Sequence, residues 1–179
     1  VFVAEMGIFG PGEIRELSTY FPPDIAAITI IGEAHLQRMG STDVIFRAKA
    51  EITERARTVV LPIDDPRLAN LAEQCAAQGK RVVTVSCVAG GVADVVLTPG
   101  VKGEPSSLVI GRGAEPVAVT VSNTGHAVNV AVAAAIARAA KVPSPVRLSV
   151  SRVGGQVLIR AEADPPLDAP AMVQYHYVD

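Results

Sequence analysis

Tryptophan is absent from this 179-residue chain, which holds only four phenylalanines and three tyrosines. Its apolar residues, 49% of the total, are therefore mostly Val, Ala, Ile and Leu. That palette suits a sheet buried on both faces by helices. Cysteine is nearly missing. Cys75 and Cys87 are too few for a disulfide framework and lack metal-type spacing, so reduced thiols and a cytoplasmic setting are expected. Excess charge is lacking too, since a formal net charge of −2 gives no reason to expect a nucleic-acid-coating surface. No apolar run approaches the roughly 18 residues of a membrane span; even "AVNVAVAAAIARAA" is broken by Asn129 and Arg138. Neither the basic head nor the cleavage site of a signal peptide is visible. The chain opens at Val1 in the strand-like run "VFVA" and so reads as a piece of a longer protein. Its length allows one domain with a real core, or one domain plus a small appendage.

What is present alternates strands with helices. Val1–Ala4 reads as a short strand, and Glu13–Thr19 as a helix opened by the "GPGE" turn. Asp24–Ile31 is a near-continuous apolar run of the kind found inside a parallel sheet. From Thr42 to Arg55, Val44, Ile45, Ala48 and Ile52 recur at helical spacing. Thr58–Leu61 is a strand, Pro66 to about Gln78 a helix stopped by Gly79, and "RVVTVS" the next strand. After Cys87 the period changes. Three short β runs separated by Gly, Pro and Ser predict an antiparallel meander, and His126–Ala140 returns to a helix that is Ala-rich on every side. Beyond Val142 come the strand-like pieces "VRLSVSRV" and "QVLIRAEA", then a proline-rich tail. The expected fold is α/β, a mostly parallel sheet flanked by helices with a small antiparallel β meander.

Chemistry-bearing residues fall at the strand ends. Glu5 follows the first strand and His35 the second, Lys49 lies on the helix after His35, and Asp64-Asp65 follow the third strand. In open parallel sheets ligands collect at the carboxyl ends of the strands. A carboxylate and a neutral imidazole can share a divalent cation whose shell phosphate oxygens complete. Taken singly, each residue also has an ordinary reading. Glu5 suits a solvated turn, His35 a loop hydrogen bond, and Lys49 a solvated helix face. Asp64-Asp65-Pro66 is equally an ordinary helix start.

The order of the motifs decides between these readings. "EMG…GPGEI", the run "PDIA…TIIGEAH", "GS" and "AKAE" follow one another in a pattern that resembles the central domain of the Mur ligases. Related ligases more often carry aspartate before the histidine; Ala34-His35 resembles the MurF branch. The likeness continues through "VVLPIDDPR", the β meander and "GHAVNVAVAAAIA". It implies a central-domain fragment over residues 1–141, with 142–179 a linker or partial C-terminal element.

The resemblance also implies roles. Glu5 matches the acidic residue that helps to hold magnesium near the nucleotide phosphates, and His35 the ligand of a second magnesium. Lys49 matches a lysine that becomes carbamylated, which requires a neutral amine. Asp64 and Asp65, with His126 and Asn129 at the start of the last helix, match the nucleotide-binding set. Implied ligands are ATP, Mg2+ and a UDP-muramoyl-peptide-like substrate. The implied activity is an ATP-dependent ligation of an amino acid or dipeptide amine to a carboxylate through an acyl phosphate, in peptidoglycan precursor synthesis. The phosphate-cradling loop G-x-x-G-K-(S/T) does not occur in the chain. In the family it precedes the "EMG" segment, so a longer protein is expected to supply it and this piece alone is expected to be inactive.

Four amide positions of the family pattern are replaced. Ile30 stands in T-N-I-G, Pro62 in N-A-D-D, and Ala127 and Val130 in G-x-H-N-x-x-N; Asn129 takes the last role only if the register slips by one. Two alternatives follow. One is a degenerate Mur-ligase-like module that binds or scaffolds without catalysis. The other is a related ligase of folylpolyglutamate or cyanophycin type.

Overall fold

A computed structural model describes residues 3–33, 36–101, 104–121, 127–141, 146–153, 156–163 and 172–175, the last three segments by backbone alone. It divides into two compact units, Gly7–Ala140 and Val1–Met6 with Lys141–Asp179.

The larger unit begins with α1 (Glu13–Tyr20), β1 (Ile25–Ala27), α2 (Leu36–Met39) and α3 (Thr42–Ala50), which tightens into a 3-10 turn over Glu51–Thr53. β2 (Thr58–Pro62), α4 (Pro66–Ala77) and β3 (Arg81–Ser86) follow, then β4 (Val95–Thr98), β5 (Ser106–Ile110), β6 (Val117–Val119) and α5 (Ala127–Ala139). The six strands form one mixed sheet in sequential order. β1 to β4 are parallel. β5 and β6 add antiparallel, so the expected meander is an extension of the parallel sheet.

β2 lies between β1 and β3, and its consecutive residues Val59, Val60 and Leu61 are all 0% exposed. Adjacent strand residues point to opposite faces, so both faces are covered. α4 covers one with Leu68, Leu71, Ala72 and Cys75, and α5 packs on β2, β3 and β4. Val130, Ala131, Val132, Ala134 and Ala135 of α5 are all buried. Small residues on several sides let this helix sit close to the sheet.

A parallel pair normally needs a crossover of a dozen residues or more, yet only Cys87–Asp94 joins β3 to β4. The register explains it. Val85 pairs with Val95 and Ser86 with Val96, so β4 starts where β3 ends and the chain need not travel back. Asp94 secures the step: its Oδ2 accepts from Thr84 N and Thr84 Oγ1, both at 2.9 Å, and its own N–H donates to Thr84 Oγ1 at 2.9 Å.

Three elements differ from expectation. Val3 and Ala4 lie in irregular backbone rather than a strand, while Val1 and Phe2 fall outside the described residues. The run Asp24–Ile31 keeps only Ile25–Ala27 as strand. Ile28 N still bonds Val60 O at 3.3 Å, but Ile30 is 60% exposed because the chain leaves the sheet at its rim. The helix expected to reach Arg55 ends at Ala50.

In the smaller unit, β7 (Val146–Val153), β8 (Gln156–Ala163) and β9 (Met172–Tyr175) form an antiparallel sheet. β7 and β8 pair from Val146–Ala163 to Val153–Gln156. Gly154-Gly155 separates them in sequence. The proline-rich tail contributes β9, paired with β8 from Val157–Tyr175 to Arg160–Met172.

Candidate functional site at the carboxyl ends of the parallel strands

β1, β2 and β3 all end at the same rim, because parallel strands share a direction. Beyond β1 the backbone of residues 28–32 is irregular. Lys49, on the last turn of α3, reaches across to it, and its Nζ donates to Ile30 O at 2.8 Å. The side chain is half-buried, and burial pushes the ammonium below the usual lysine range. Lys49 therefore does not lie on a fully solvated helix face. It is a desolvated amine bonded to the β1 rim.

Beyond β2 come the two aspartates. Asp64 joins the ends of two strands: Oδ1 accepts from Ser86 Oγ at 2.7 Å and Oδ2 from Cys87 N at 2.6 Å. Asp65 caps α4, accepting from Arg67 N at 2.8 Å and from the Arg67 guanidinium at 3.1 and 2.8 Å. Pro66, with no N–H to leave unpaired, opens the helix. The Arg67 hydrogen bond holds the Asp65 carboxyl below its usual value.

Beyond β3 the chain turns tightly around Ser86. A Cβ at Gly91 would stand 2.2 Å from Ser86 Oγ, so only glycine lets the loop close there. Burial, then the nearby Asp64, pushes the Cys87 thiol up to about 11. Cys87 is thus a protonated thiol at neutral pH, not a nucleophile.

Asn129 is half-buried on the first turn of α5. Glu5 is exposed and belongs to the smaller unit. His35 and His126 lie outside the described residues. Among the described residues no three His, Cys, Asp or Glu side chains gather as a metal set, and no helix is long and apolar enough to cross a membrane.

Two functional neighbours escaped the sequence. Ser86, the partner of Asp64, carried no signal beyond ending a strand. Glu51, which bonds Gly12 N at 2.7 Å and Arg15 N at 3.1 Å, was visible only as the last letter of "AKAE".

The Mur ligase middle domain family model matches residues 1–137. Curated relatives include the UDP-N-acetylmuramoyl-tripeptide–D-alanyl-D-alanine ligase of Mycobacterium leprae (strain TN), 36% identical over 87 residues, 47% of this chain and 16% of the relative. The enzyme of that name from Bacillus subtilis (strain 168) is 42% identical over 77 residues, 42% of this chain and 17% of the relative. A crystal structure of MurF from Acinetobacter baumannii superposes with a TM-score of 0.64 at 25% identity, over 86% of this chain and 37% of that one. MurF ligase from Thermotoga maritima in complex with ADP has the same fold, with a TM-score of 0.61 at 22% identity over 82% of this chain and 37% of that one. The matched stretches span about a sixth of the length of the curated relatives.

Proposed function

The chain belongs to the Mur ligase middle-domain family, and from that premise we propose that it is the central part of a MurF-type, ATP-dependent carboxylate–amine ligase. The carrying observation is Lys49, a desolvated amine held 2.8 Å from a backbone carbonyl at the rim where ligands of parallel sheets collect. The reaction joins the amine of an amino acid or dipeptide to the carboxylate of a UDP-muramoyl-peptide-like substrate. The carboxylate attacks the γ-phosphate of ATP, and the amine then displaces phosphate from the acyl phosphate. We place this chemistry in the cytoplasm, with the remaining domains of a longer protein supplying the phosphate-cradling loop and the amine site. Residues 1–141 are the central-domain portion in this reading, and 142–179 a linker or partial C-terminal element.

The donor chemistry suits magnesium. Asp64 and Asp65 accept from Ser86, Cys87 and Arg67; following the family resemblance, Glu5 would help to hold one magnesium near the nucleotide phosphates and His35 would hold a second. A single protein donor at each ion would leave room for waters and phosphate oxygens. When bound, the ion neutralises charge on the transferring phosphoryl group. Lys49, carbamylated, supplies an anionic support. Asp64 serves the nucleotide end by holding the loop after β3, and Asp65 by ordering the start of α4; Asn129, on the first turn of α5, and His126, which precedes that helix in sequence, complete the nucleotide-binding set.

A second reading, a binding module without catalysis, draws on Ile30. An apolar side chain 60% exposed stands at the rim where the family pattern keeps an amide. Phosphate release from ATP by the full-length protein, with UDP-muramoyl-tripeptide and D-alanyl-D-alanine present, separates the two. The ligase reading expects magnesium-dependent release that His35→Ala sharply lowers while the denaturation midpoint holds. No release by the full-length protein overturns it in favour of the binding module. Release unchanged in His35→Ala removes the metal role of that residue.

A further inference from the structure

α1 has no cap of its own. Its N-cap is Gly12, at φ 95°, with no side chain to accept from the first turn. The orphan N–H groups of a helix start need acceptors, and local capping boxes supply them from within the same segment. Here a single residue 39 positions away supplies them. Glu51 Oε1 accepts from Gly12 N at 2.7 Å and Oε2 from Arg15 N at 3.1 Å, with the side chain only 5% exposed. Arg15 Nη2 stands 3.7 Å from the same carboxylate and pairs more closely with Glu54, at 2.7 Å. The "AKAE" and "GPGEI" motifs are therefore in direct contact.

Lys49 lies two residues before Glu51, and residues so spaced point to different sides of a helix. One side chain reaches the N-terminus of α1 and the other the carbonyl of Ile30. The junction between α3 and the 3-10 turn is thus anchored from two directions. We propose that Glu51 is the positioning residue for Lys49: by capping α1 across the fold it fixes the end of α3, and with it the Lys49 amine at the β1 rim. This rests on the reading of Lys49 as the carbamylated lysine. In that modification the neutral amine nitrogen bonds the carbon of CO2 and gives up one proton to solvent, leaving a carbamate anion. Burial of the Lys49 side chain, which already lowers its pKa, favours the neutral amine. A free-swinging α3 end would return it to water.

The test uses the full-length protein in 13C-labelled bicarbonate and reads the carbamate carbonyl signal, assigned to Lys49 by its loss in Lys49→Ala. Wild type and Glu54→Ala, which breaks only the surface pair with Arg15, are expected to show the signal. Glu51→Ala is expected to drop it more than tenfold while still unfolding cooperatively, and Glu51→Gln, which keeps one acceptor oxygen, to restore part of it. A folded Glu51→Ala with an undiminished signal overturns the proposal and leaves Lys49 untouched. If Glu51→Ala does not fold, Glu51→Gln decides: a reduced signal supports the positioning role and an unchanged one overturns it. A silent wild type instead overturns the reading of Lys49 itself, and this inference with it.

Discussion

The parallel and antiparallel halves of the central sheet share one ladder but are built differently. In the parallel half, β2 is sealed on both faces and its residues Val59 to Leu61 are wholly buried. In the other half the sheet thins toward β6, where Val117 is 55% exposed and only three residues pair with β5. The chemistry divides the same way. Asp64 and Asp65 follow β2 and Lys49 reaches the β1 rim from α3, whereas a polar contact of the antiparallel half, Arg138 Nη1 to Ile110 O at 3.2 Å, ties α5 to the end of β5. Sealing a strand on both faces is what gives a rim residue a fixed, partly desolvated position.

The comparison breaks most visibly at β2. Leu61→Ala, at a site with no exposure, is expected to cost about 2–5 kcal/mol, read as a lowered urea midpoint. Val117→Ala on the β6 edge should stay within about 0.5 kcal/mol, and equal losses at the two sites would dissolve the distinction between the halves. Next is the seam between them. Asp94→Ala strands the Thr84 N–H and hydroxyl and should cost about 1–3 kcal/mol. Hydrogen exchange should then rise at Thr84 before it rises at Val60.

A smaller effect is expected at Asp65, and it depends on pH. Arg67 depresses the folded-state pKa of Asp65, so the stabilisation is complete above the ordinary aspartate value. It fades as the pH falls through the depressed value. Asparagine caps helices as well as aspartate does but lacks the charge that Arg67 pairs with, so Asp65→Asn should be slightly less stable than wild type at neutral pH, lose less stability as the pH falls, and converge on wild type in acid. A parallel acid limb in the two proteins would remove the Asp65–Arg67 contribution. The least effect belongs to Arg112, 75% exposed and 3.9 Å from Asp94. Arg112→Ala should change the midpoint by no more than about 0.5 kcal/mol.

Local pattern made much of the architecture readable. "RVVTVS", "VRLSVSRV" and "QVLIRAEA" are β3, β7 and β8 to the residue, and Asp65-Pro66 begins α4 as its capping chemistry demands. The boundaries that shifted lie beside distant contacts. Just past the end of β1 at Ala27, Ile30 O accepts from Lys49, and just past the end of α3 at Ala50, Glu51 reaches α1. At the site, Lys49, Asp64 and Asp65 were legible as motif letters. Their partners Ile30, Ser86 and Arg67 differ in that respect, since only Arg67 is close enough in sequence to be inferred.

By itself the sequence determined the family, the alternation of strand and helix, and the residues offered at the strand ends. These follow from side-chain period, caps and motif order, all of which act over a few residues. Tertiary structure alone decided that Lys49 is desolvated against Ile30, that Asp64 binds the ends of β2 and β3 together, and that Glu51 caps a helix 36 to 39 residues upstream. Burial and hydrogen-bond partnership across such separations depend on which surfaces the fold brings together.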